Sequence, residues 1–316
     1  MSFWGKVFAG FTSILKAALG MVIFVLVEYA VFNAFALLGL DYKIYKGTYN
    51  TVATILCLVT MLIIHKICSR NKEPLIRFNK LSIDQVIALV IVGMGMLGFV
   101  SIYLVVADKI AESMKPVEQA MEQYRDNVDR YVDTPKIIIP IWDTVLYIIS
   151  LSFIVPFTEE FTFRGVAFGH LRKGFGVWIS VVLSAIVFGI MHGVSVHIGY
   201  AIVCGIIMAT CYYLTDSIFA SVILHMVFNV FGSGIPNVFE IDQLGIPAAF
   251  ANNFMIVVNT ASMIFMPISV LAIAYLVIVK RKKEAAAKLA QENISFEQAG
   301  NSEDETEAVS EVEAEE

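Results

Sequence analysis

Eight stretches of this chain, each about 17 to 26 residues long, are apolar and long enough to cross the ~30 Å hydrocarbon core of a bilayer. They fall at about 17–40, 49–66, 86–107, 138–158, 175–193, 198–214, 217–233 and 254–279. None shows the period-two alternation of a barrel strand, and in lipid only helices and closed barrels satisfy every backbone donor and acceptor. The expected fold is therefore all-α: a polytopic transmembrane helix bundle of about eight spans. Of 316 residues, 58% are hydrophobic and 16% charged, with a mean hydropathy of +0.75. A soluble globular domain cannot hide that much apolar surface. Ala34-Phe35-Ala36 imitates a signal-cleavage site, but the 17–40 run is too long for a signal-peptide core and reads as a retained first span.

The net charge of −6 divides unevenly. Residues 1–283, the expected transmembrane domain, hold 21 Lys and Arg against 17 Asp and Glu, whereas residues 284–316 hold one Lys against 11 acids. The acidic stretch has almost no large apolar side chains after Ile294 and Phe296, so it is expected to be a disordered cytoplasmic tail, its first two turns continuing the last helix. Basic residues orient the bundle. Lys66, Arg70, Lys72, Arg77 and Lys80 follow the second span, Arg172 and Lys173 follow the fourth, and Lys280-Arg281-Lys282-Lys283 end the eighth. With eight spans all three groups share one side, which is expected to be the cytoplasm with both termini.

Between the third and fourth spans, residues 108–137 carry Val117, Met121, Tyr124, Val128 and Tyr131 at helical spacing, with Pro116 and Pro135. That pattern fits an amphipathic helix on the outer surface, either a solvated connector or a cap. Residues 234–253 read as a turn-rich outer loop. Cys57, Cys68, Cys204 and Cys211 lie in or beside apolar runs without CxxC spacing, and are expected to pack as small apolar residues.

A charge at membrane depth needs a partner, a cavity or a task. Glu28 and Asp143 stand alone and read as structural acids. Glu159, Glu160, Arg164, His192 and His225 are organised differently. Glu160 and Arg164 are i, i+4 and can pair on one helical face. Glu159 lies ~100° around the cylinder, free to serve as a base. Pro156 just before them releases the carbonyl of Ser152 and kinks the helix there. Phe188 and His192 are again i, i+4, as are His225 and Asn229. Counted from the basic ends, Glu159, His192 and Asn229 fall well inside the membrane, so three helices can bring these groups to one polar site. As isolated pairs they would be interhelical glue or a structural ion pair.

Together, Glu159-Glu160-x-x-x-Arg164, Phe188-x-x-x-His192 and His225-x-x-x-Asn229 resemble the three-motif signature of the CPBP family, the type II CAAX prenyl endopeptidases and their Abi relatives. The resemblance covers about residues 140–232, with every motif position present. It implies that Glu159 with His192 activates a water, that Arg164 holds Glu160 to orient the site, and that His225 and Asn229 donate to the developing oxyanion. Phe188 is expected to pack beneath His192. Two His and a carboxylate are also able to hold zinc with an open position, so direct Glu/His activation and zinc both stay open.

The function these residues lead to is an intramembrane endopeptidase acting on a peptide or lipidated peptide presented in the bilayer. The alternative is a non-proteolytic scaffold or bacteriocin-immunity protein that keeps the polar site, in a bacterial cell membrane. A coupled transporter would show a matching polar pattern in the first half, which is missing. The basic stretches are juxtamembrane, and no nucleic-acid-binding pattern is present.

Overall fold

In the computed structural model the backbone is described for residues 2–70, 73–129, 139–193 and 195–315; side chains at 127–129, 195, 242 and 294–315 are not. Tyr131 and Pro135 of the expected outer helix lie outside the described residues. We number the helices α1 (Phe3–Leu37), α2 (Lys46–Cys68), α3 (Ile83–Ala111), α4 (Lys115–Asp129), α5 (Ile141–Gly174), α6 (Val177–Ile190), α7 (Ser195–Thr215), α8 (Ile218–Phe239) and α9 (Ala248–Glu315). No strand occurs among the described residues; one isolated bridge pairs Phe78 with Ser217.

Seven of these helices are long and apolar enough to cross a membrane, and α6 is a shorter apolar helix of 14 residues. The chain is a multi-pass all-α membrane protein. Large apolar side chains such as Leu26, Ile63, Val105, Trp178, Val257 and Leu271 face outward, as expected where the solvent is lipid. The interior packs Phe24, Met61, Phe161, Val166, Phe168, Val181, Tyr212 and Val222 into one cluster. Cys57, Cys204 and Cys211 are buried free thiols, as expected, and Cys68 is half-buried.

Two expected boundaries change. The fourth run was placed at 138–158, but α5 continues to Gly174. The fifth was expected to span at 175–193, yet α6 ends at Ile190, and 14 residues rise only ~21 Å. Gly193, at φ +74, ends it, a left-handed conformation that glycine adopts without a Cβ penalty. Contacts show that α6 nonetheless carries the chain from one end of the bundle toward the other. Lys173 Nζ donates to the carbonyl of Glu73 at 3.3 Å, tying the end of α5 to the loop after α2. Arg77 of that loop pairs with Asp216 at 2.8 Å, and Ile218 N donates to the Arg77 carbonyl at 2.9 Å. The ends of α2, α5 and α7 thus lie together, and α6 must run away from them for α7 to return. A Cβ added to Gly205 of α7 would stand 3.0 Å from that of Ala185. Small residues allow this close helix–helix approach.

The turn-rich loop expected at 234–253 is more ordered than its Gly and Pro content suggested. Helix α8 runs on to Phe239 through a π-helical turn at Val230–Gly234, with Pro236 in the first turn that follows, where its missing N–H costs least. Helix α4 packs rather than floats: Met121 is buried and the Tyr124 ring meets Tyr200 edge-on at 6.4 Å. Arg125 of α4 also pairs with Asp108 of α3.

Residues Met1–Ile273 form one compact unit, and Ala274–Glu316 a second. In the second, α9 continues through the acidic stretch with residues 281–293 exposed. Its Ala, Glu, Lys and Gln residues carry the helix further than the two turns expected.

Candidate active site

Helix α5 supplies the carboxylates and is not a uniform α-helix. A π-helical turn at Ser150–Ile154 precedes the six-residue α segment Val155–Glu160, and a second π stretch covers Phe161–Ala167. In the first turn the Val155 amide donates to the Ser150 carbonyl, five residues back. The next such bond would come from residue 156, which is proline and has no N–H. The carbonyl set free in that register is that of Leu151, one residue before the Ser152 carbonyl that an α register releases. Asn229 Nδ2 takes it at 2.9 Å, joining α8 to α5. Such wide turns re-aim the side chains that follow and recur at functional sites.

Glu160 and Arg164 are fully buried and paired at 2.7 Å between Oε1 and Nη1. Arg164 Nη2 donates to the Gly205 carbonyl at 3.4 Å, and its guanidinium lies 4.2 Å from the centre of the Phe188 ring. His225 Nδ1 lies 2.8 Å from the same Glu160 oxygen. Glu160 thus holds two cationic or donor groups from two helices. Phe188 does more than support His192, whose ring it meets at 4.6 Å; it also touches Arg164 and stands edge-on to His225 at 6.0 Å.

Glu159 is set apart, as the 100° offset expected. Its side chain is 23% exposed, and His225 Nε2 stands 3.8 Å from Oε2. That oxygen is buried and has no hydrogen-bond partner among the described residues. Glu159 lines a cavity of about 250 Å³ together with His192, His225, Asn229 and Phe188. The three motifs therefore meet around one space. Glu159 and His192 both line the cavity, and the imidazole within 4 Å of Glu159 is that of His225. His192 is not inside a helix. It follows the end of α6, with Nδ1 2.8 Å from the Phe188 carbonyl, one of the acceptors a helix end leaves over.

Two cavity residues escaped the sequence reading. His197 faces His192 at 4.4 Å between ring centres and stacks on Tyr200 at 4.7 Å. His197 lay one residue before the apolar run placed at 198–214, so it was not weighed as a membrane-depth group, although a second histidine five residues after His192 was a usable signal. Tyr200 links this pair to Tyr124 of α4, which places α4 beside the cavity wall.

The two isolated acids differ in role. Asp143 caps α2: its carboxylate accepts from the Gly47 and Thr48 amides at 2.7 and 2.8 Å and from the Thr48 hydroxyl at 2.6 Å. It is structural, as expected. Glu28 of α1 is half-buried and lies within electrostatic reach of Glu159. A zinc site finds less support. Among the described residues no three His, Cys, Asp or Glu side chains converge as a ligand set, and Glu160 is already held by the Arg164 cation.

The fold is that of a multi-pass membrane protein, and over the stretch that carries the three motifs the chain is similar to the CAAX-protease family. Residues 141–231 match the family described as Type II CAAX prenyl endopeptidase Rce1-like, and the CPBP resemblance read from the motifs is supported over the same stretch. The chain is 26% identical over 187 residues to YdiL of Bacillus subtilis (strain 168), a protein provisionally named a membrane peptidase. That alignment covers 59% of this chain and 70% of YdiL. No solved structure matches the chain.

Proposed function

We propose that this chain is a membrane-embedded endopeptidase of the CPBP type, which hydrolyses a peptide bond in a membrane-presented peptide with a water activated by Glu159. The observation that carries the reading is the contrast between two adjacent carboxylates. Glu160 is wholly buried and fixed by Arg164 and His225, while Glu159 is partly exposed at the wall of a cavity that it shares with His192, His225 and Asn229.

In this reading Glu159 removes a proton from a water placed in the cavity, with His192 as a second partner for it. The water oxygen bonds to the scissile carbonyl carbon, whose π electrons move to its oxygen. That oxyanion accepts from the second Nδ2–H of Asn229, the first being committed to Leu151. His225, whose Nδ1 is held 2.8 Å from Glu160 Oε1, is the second donor assigned to that oxyanion. When the tetrahedral centre collapses, the C–N bond breaks and Glu159 returns its proton to the leaving amine. No step is routed through a metal. The reading has both termini on the cytoplasmic side of a bacterial membrane, with residues 284–316 as a tail, and the positive charge of the basic loops supports that orientation.

The test is cleavage of a bilayer-reconstituted peptide, prenylated and unprenylated, by wild type, Glu159→Gln and His192→Ala, with and without chelator. Cleavage by wild type and its loss in Glu159→Gln supports the reading. Equal inertness of folded wild type and variants on every peptide would remove it.

A further inference from the structure

We propose that the wedge between α1, α2 and the C-terminal end of α5 binds an anionic phospholipid. The site shares no residue with the catalytic cavity. Helices α1 and α2 are joined where Cys57 Sγ approaches the Phe24 carbonyl at 3.7 Å. Toward the end of the bundle that carries the basic loop they enclose a cavity of about 440 Å³, lined by Lys16, Leu19, Gly20 and Ile23 of α1, Ile64, Ile67 and Cys68 of α2, and His170 and Lys173 of α5. Its size lies within the ~300–1,000 Å³ of pockets that hold single small ligands.

The lining is divided in the way a lipid is divided. Leu19, Ile23, Ile64 and Ile67 form an apolar wall suited to an acyl chain. Lys16 and Lys173 bring ammonium groups from two helices, and both lie within electrostatic reach of the buried His170 ring. Lys173 also donates to the Glu73 carbonyl, and an ammonium has three N–H donors. That contact fixes where the cationic edge lies: beside the loop that carries Arg70, Arg77 and Lys80. Basic pockets between transmembrane helices on the cytoplasmic side, where the leaflet itself is anionic, select lipid phosphates. A zwitterionic lipid brings the same chains with no net charge, so charge complementarity singles out the anionic one. The pocket gives the motif-bearing helix α5 a lipid contact at its basic end.

The experiment is native mass spectrometry of the full chain released from vesicles of equimolar phosphatidylglycerol and phosphatidylcholine. Wild type is expected to retain phosphatidylglycerol preferentially. Lys16→Ala combined with Lys173→Ala removes two surface cations and is expected to weaken retention roughly thirtyfold, while Lys16→Arg with Lys173→Arg keeps it. Ile67→Trp fills the apolar wall without changing charge and is expected to reduce retention of either lipid. Excess glycerol phosphate is expected not to displace the lipid, because it has no chain to bury. Equal retention of both lipids, unchanged retention in the alanine pair or in Ile67→Trp, or displacement by glycerol phosphate would each overturn the proposal, the last in favour of a free-phosphate site. Peptidase activity plays no part in these readouts, so the lipid site and the proposed function stand or fall separately.

Discussion

His225 Nδ1 lies 2.8 Å from Glu160 Oε1, the oxygen that also binds Arg164 at 2.7 Å, so one buried carboxylate oxygen positions an imidazole and a guanidinium from different helices. The consequence is a division of labour between neighbours in sequence. Glu160 is committed to its partners, and Glu159 is left facing the cavity.

Glu159→Gln is expected to lower peptide cleavage by about 10²–10⁴-fold, the usual contribution of a positioned base. The substitution is isosteric and its Oε2 has no hydrogen bond to lose. Melting temperature in detergent should therefore stay near wild type, and a large fall would show that the residue is structural instead.

Arg164→Leu should behave in the opposite way. It leaves the Glu160 carboxylate buried beside His225 alone, and breaking one half of a buried pair costs about 3–5 kcal/mol. Thermal unfolding monitored by circular dichroism would register the loss before any assay of activity. A variant that melts like wild type would contradict the assigned pairing.

Asn229→Ala is expected to combine both effects at a smaller scale. Loss of one oxyanion donor lowers turnover about 10²–10³-fold. The Leu151 carbonyl, left without its partner, costs about 1–3 kcal/mol of stability. Turnover and melting temperature measured on the same preparation separate the two, and a loss confined to stability would remove Asn229 from the chemistry.

Asp143→Ala tests the other intramembrane acid. It strips the α2 N-terminus of three hydrogen bonds, at a cost of about 1–3 kcal/mol. Turnover per folded molecule should not change. An activity loss exceeding the folded fraction would assign Asp143 a role beyond capping.

How far the sequence reached follows from the range of the interactions concerned. The spans were legible because hydrocarbon imposes one length and one chemistry on any helix that crosses it, and the Glu160–Arg164 pair was legible because i, i+4 spacing fixes a face. The motif residues on α5, the end of α6 and α8 do meet around one cavity. What spacing could not give was partner choice between helices. Spacing did not show that α6 ends at Ile190, before His192, or that the imidazole beside Glu159 belongs to His225. The end of α5 was also misjudged, because Arg172 and Lys173 close an apolar run whose polar centre at 158–164 had been taken as its edge.

Sequence alone thus determined the class of fold, the membrane as solvent and the candidate residues for chemistry, since each rests on local composition or on spacing within one helix. Tertiary structure decided which carboxylate is locked and which is open, that Asn229 takes the Leu151 carbonyl that Pro156 cannot occupy, that His197 and Tyr200 belong to the same cavity, and that α1 and α2 part to leave a second one. Those outcomes depend on how separate helices rotate and dock against one another. Contacts across 40 to 100 residues of chain have no signature in the spacing of any one segment.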